Sequence, residues 1–102
     1  MQELQRLISL SEKGTSAIYD AEIKLAEAEN NLDLVENRAF IKASGSVAER
    51  QALAKLDSAQ ARLERDIAKA ELNRVRVKIK SVEQAIMATQ TMSKLTELEA
   101  RL

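Results

Sequence analysis

The chain contains no cysteine, no histidine, no tryptophan and no proline. Without cysteine there is no disulfide, no thiolate nucleophile and no zinc–sulfur site, and the redox compartment is not written in the sequence. Without histidine the commonest general base and transition-metal ligand is missing, so neither a metal nor any other cofactor is expected. Tyr19 and Phe40 are the only aromatics, too few for a platform on which bases could stack. Neither sign of charge is in excess, with 16 basic and 16 acidic residues. No global field therefore draws the chain to nucleic acid or to an anionic membrane. No apolar run approaches membrane-spanning length, and the opening Met1-Gln-Glu-Leu-Gln-Arg lacks the apolar centre of a signal peptide. The expectation is a soluble, cytoplasmic protein without a membrane partner.

What is present is helix-forming. Alanine, glutamate, lysine, arginine, leucine and glutamine dominate the 102 residues, the composition of long helices or a coiled coil. That length allows one domain. Its organising stretch is Lys42-Ala-Ser-Gly-Ser-Val-Ala-Glu49, where a helix stop meets a helix start. Gly45 suits the left-handed residue that ends a helix, and Lys42 lies where a cation favours the negative end of the dipole. Ser46 and Glu49 have the spacing of a capping box. A connection of about three residues forces the flanking helices to be antiparallel neighbours. The fold expected is all-α: one helical-hairpin domain with a helix over about 2–43, a turn at 44–46 and a helix over about 47–100.

On the first helix the heptad positions are Leu4, Leu7, Ser11, Gly14, Ile18, Ala21, Leu25, Ala28, Leu32, Val35 and Ala39, nine of the eleven apolar. Gly14 could end a short first helix, with Thr15 or Ser16 capping the next. The heptad frame is unchanged across it and favours continuity, at about 1 kcal/mol relative to alanine. On the second helix Leu53, Leu56, Ala59, Leu63, Ile67 and Ala70 share one face. The stripe then moves to Leu72, Val75, Ile79, Val82 and Ile86. Two apolar faces suggest two partners, the first helix and a second copy, giving a dimeric four-helix bundle or a longer, higher-order coiled-coil assembly. Folding at Gly45 pairs residue i with 90 or 91 minus i, which sets Gly14 level with Val77. It leaves Met87, Met92, Leu95, Leu98 and Leu102 as an overhang beyond the first helix. Arg74 to Lys80 alternates like a strand, but no second strand exists to pair with it, and helical flanks decide for helix.

Two surfaces are candidate sites. Arg74, Arg76, Lys78 and Lys80 lie in a stretch without acids and could contact phosphates. The blander reading is a solvated face, or ion pairs to the acids of residues 20–36 in another subunit, and it is favoured because alternating positions point around a helix. Leu72, Val75, Ile79, Val82 and Ile86, with Met92, Leu95 and Leu98, are the candidate protein interface. Carboxylates are plentiful but form no metal-binding or catalytic motif, so no catalytic residue is assigned. Phe40 and Ile41 are expected to close the core against Val47 and Leu53.

The segment Arg38-Ala-Phe-Ile-Lys-Ala-Ser-Gly-Ser-Val-Ala-Glu-Arg-Gln-Ala-Leu53 resembles small helical-hairpin proteins of tailed bacteriophages and prophages, and Glu99-Ala-Arg-Leu102 is similar to their charged ending. The resemblance implies an intracellular accessory role without catalytic residues. Those proteins carry an aromatic late in the second helix. Here the region reads Ile86-Met-Ala-Thr-Gln, so a contact through that aromatic is not carried over. The function expected is non-enzymatic binding of a host or phage protein through helical surfaces, as an inhibitor or recruitment factor. The alternative is a nucleic-acid-binding accessory role through the basic stretch.

Overall fold

A computed structural model describes residues 2–101. The chain is an antiparallel helical hairpin. Helix α1 covers Gln2–Lys42, α2 covers Val47–Asp57 and α3 covers Ala59–Arg101. No strand occurs among the described residues, and residues 74–80 lie within α3. The helix passes through Gly14 without interruption.

The turn forms for the reasons its sequence suggests. Gly45 has φ of 111°, the left-handed conformation that costs a side-chain-bearing residue most. Ser46 caps α2, its Oγ accepting from the backbone N–H of Glu49 at 3.2 Å. Arg50 adds a second lock. Its Nε and Nη2 donate to the carbonyl of Phe40 at 3.2 and 3.1 Å, and its guanidinium lies 4.3 Å from the centre of the Phe40 ring. A carbonyl in the last turn of α1, which has no helical partner, is thereby satisfied. Phe40 thus packs under Arg50. Ile41, Val47 and Leu53, expected to close the core beside it, are exposed.

The single second helix expected over 47–100 is two helices. Ser58, the residue between them, is fully buried and has φ of −96° and ψ of 8°. Its Oγ donates to the carbonyl of Ala54 at 2.7 Å and accepts from Arg62 Nη2 at 3.0 Å. Arg62 Nη1 also donates to the carbonyl of Lys55 at 3.3 Å. Side chains inserted into the helical ladder are a common cause of such irregularities. The backbone N–H of Ser58 still donates to the carbonyl of Ala54 at 3.0 Å, and Arg62 N–H to that of Ser58 at 2.9 Å, so helical hydrogen bonding continues across the junction.

The chain divides into two compact units. One is Asp20–Leu72, which contains the turn. The other joins Met1–Tyr19 to Asn73–Leu102. In the turn unit the buried apolar residues are Ala21, Leu32, Ala54, Ala61, Ala68 and Leu72, so four of six are alanines. In the terminal unit Leu7 is buried, and Val75, Ile79, Val82 and Ile86 are half-buried.

Candidate functional site

On α1 all eleven heptad positions named from the sequence are buried or half-buried. The return helices differ from expectation. Their inward row is Ala54, Ser58, Ala61, Arg65, Ala68, Leu72, Val75, Ile79, Val82, Ile86 and Thr89, and every member is buried or half-buried. These positions alternate by four and three without a slip, which is one uninterrupted heptad seam. The apolar stripe does not change partner midway.

Two corrections follow. The row expected to meet the first helix in the turn unit faces outward: Leu53 is 44% exposed, Leu56 73%, Leu63 53% and Ile67 51%. Conversely, Leu72, Val75, Ile79, Val82 and Ile86, expected to meet a second copy, belong to the seam inside the chain. Alanine and serine permit close helix approach, and that space is unavailable to leucine. Large side chains therefore turn to solvent wherever small ones occupy the seam. Met92, Leu95 and Leu98 are exposed, in keeping with an overhang, while Leu102 lies outside the described residues.

The register in the terminal unit also differs. A Cβ placed on Gly14 would lie 2.6 Å from Cγ1 of Ile79, so Gly14 meets Ile79 and not Val77, which is exposed. Glycine is required here by close approach. Around it Leu10, Lys13, Gly14, Ala17, Val75, Lys78, Ile79 and Val82 line an open groove of about 280 Å³. Its lining is mainly apolar, with Lys13 and Lys78 its two charged members.

All four members of the basic stretch are exposed. Lys78 joins the groove. Successive members are turned about 200° from one another at 100° per residue, so the four do not form one patch. Ion pairs elsewhere lie both within one helical turn and between helices. Arg6 grips Glu3 with two hydrogen bonds of 2.6 and 3.1 Å, and Arg62 lies 3.9 Å from Glu36. The hydrogen bond from Arg6, reinforced by its charge, holds the Glu3 carboxyl below its ordinary value and raises the Arg6 guanidinium above its own.

Among the described residues no three histidine, cysteine, aspartate or glutamate side chains converge as a metal site, and no helix is long and apolar enough to cross a membrane. Two features escaped the sequence reading: the Arg50 lock and the outward row Leu53, Leu56, Leu63 and Ile67. The second was legible. Extending the row 72–86 backward at heptad spacing reaches 68, 65, 61, 58 and 54, which leaves the larger residues outside. No family model, curated protein or solved structure matches this chain.

Proposed function

We propose that this chain is a non-enzymatic accessory protein of bacteriophage type that works by protein–protein binding through its helical surfaces. Its target is a host or phage protein, which it inhibits or recruits in the cytoplasm. The observation that carries this reading is the outward row Leu53 and Leu56 on α2 with Leu63 and Ile67 on α3, helices whose opposite faces are already buried there. Large aliphatic side chains repeating at helical spacing on a free face are what a helix offers to a groove or to another helix. The resemblance around the turn supplies the bacteriophage component. A nucleic-acid role for Arg74, Arg76, Lys78 and Lys80 gains nothing from their placement around the helix.

The test is capture from host extract by immobilised wild-type protein and by the L56E/L63E double variant. The reading expects proteins held by the wild type and lost by the variant, with helicity by circular dichroism equal in both. Equal capture by the two would overturn it.

A further inference from the structure

The groove of the terminal unit has a complement on the chain's own surface. Its lining is mainly apolar, and its two charged members, Lys13 and Lys78, are both positive. Neither is engaged in an ion pair among the described residues. An occupant that suits it is a helical segment presenting aliphatic side chains with carboxylates beside them. The turn unit carries such a segment on α1: Asp20, Ile23, Glu27 and Leu34, all exposed. Positions 20, 23, 27 and 34 fall on one helical stripe, at steps of three, four and seven. Ile23 and Leu34 are the apolar members, and Asp20 and Glu27 the acidic ones. Residues 20–36 as a whole hold six acids against Lys24, so the surroundings of the stripe are also negative.

We infer that the groove lined by Gly14 and Ile79 receives the Asp20–Leu34 stripe of a second copy of this chain, with Lys13 and Lys78 pairing Asp20 and Glu27. The inference rests on the reading of the chain as a protein that acts through its helical surfaces, and names one partner. Charge favours a second copy over an unrelated acidic protein: residues 20–36 hold six acids against Lys24, and the acid-free stretch 74–80 contributes Lys78 to the groove, so the chain carries a complement to its own groove.

Light scattering across a range of concentrations and salt tests this. The wild type is expected to associate at low salt and to weaken as salt rises, since the pairs are exposed at the rim. K13E/K78E, which sets an acidic groove against an acidic stripe, is expected to associate at least about tenfold more weakly. D20K/E27K, with a basic groove against a basic stripe, is expected to do the same. Mixing the two variants restores opposite charges at both kinds of contact and is expected to recover association. K13Q/K78Q, which removes charge without reversing it, should fall between, and circular dichroism should show equal helicity throughout. A wild type that stays monomeric, or reversal variants that associate as strongly as the wild type, would overturn the inference. So would reversal variants that fail to recover association on mixing. None of these variants alters Leu56 or Leu63, so the capture experiment is decided separately.

Discussion

The two units solve the same packing problem with different allocations of bulk on the return side. In the turn unit, Asp20–Leu72, the return helices place Ala54, Ser58, Ala61 and Ala68 in the seam and leave Leu53, Leu56, Leu63 and Ile67 outside. In the terminal unit, Met1–Tyr19 with Asn73–Leu102, they place Val75, Ile79, Val82 and Ile86 in the seam, and α1 answers with Gly14 and Ala17. Small residues thus fill the return side in the turn unit, where α1 adds Ala21, Ala28 and Ala39, while in the terminal unit the return side is bulky and the small residues are on α1. The consequence is a difference in surface. Where small residues fill the return side, its large ones remain as an apolar surface. Where α1 supplies a glycine, the seam opens into a groove.

The largest test of this contrast is a pair of truncations in the turn unit. Leu32→Ala removes a side chain that is 7% exposed, and about 2–5 kcal/mol of stability should go with it. Leu63→Ala removes as many atoms from a side chain that is 53% exposed, and should change monomer stability by no more than about 0.5 kcal/mol. Urea melts at low concentration, where association does not contribute, measure both. Equal losses would mean that Leu63 is inside and the assignment of faces is wrong.

A smaller effect is expected at Gly14 in the terminal unit. Alanine would gain about 1 kcal/mol of helix propensity. Its methyl would also meet Ile79 Cγ1 at 2.6 Å, an atom on a β-branched side chain that is stiff at χ1. Overpacking of this kind costs about 1–3 kcal/mol, so Gly14→Ala should lose about 1 kcal/mol net. Adding Ile79→Ala deletes the obstructing atoms. The double variant should then be less destabilised than the two single losses added together, a coupling read by a double-mutant cycle.

How much of this was readable from sequence varies along the chain. The seam of α1 was readable residue by residue, because its heptad positions are mostly leucine, valine and alanine against polar neighbours. The turn was readable because Gly45, Ser46 and Glu49 act locally. The return seam was misassigned through residue 70 because its inward members include Ser58 and Arg65. A search for the most apolar row prefers Leu53, Leu56, Leu63 and Ile67. Burial in a tight helix pair is decided by fit as well as by hydropathy, and alanine fits where leucine cannot. Arg50 was invisible for another reason, since its partner is a backbone carbonyl, which every residue possesses.

The smallest effect concerns Glu3, exposed near the start of α1. Its folded-state carboxyl lies below the ordinary value because of Arg6, so its contribution is present above the unfolded-state pKa and fades as pH falls through the folded one. Both groups are open to water, and such pairs are worth little. Glu3→Gln should leave the melting temperature unchanged at pH 7 and at pH 3. A clear loss at pH 7 that disappears at pH 3 would show the pair to matter more than its exposure allows.

The central claim is that Ile79 faces inward, opposite Gly14, and the absence of natural cysteine permits a direct measurement. A Cβ built on Gly14 lies 3.9 Å from the Cβ of Ile79. Disulfides form at a separation of about 3.5–4.5 Å. Under mild oxidation, Gly14→Cys/Ile79→Cys should close an intrachain bond in the monomer, read by mass and by non-reducing electrophoresis, while Gly14→Cys/Val77→Cys should not. Closure of the 14–77 pair with the 14–79 pair left open would contradict the register and return the row from Leu72 to Ile86 to the outer surface.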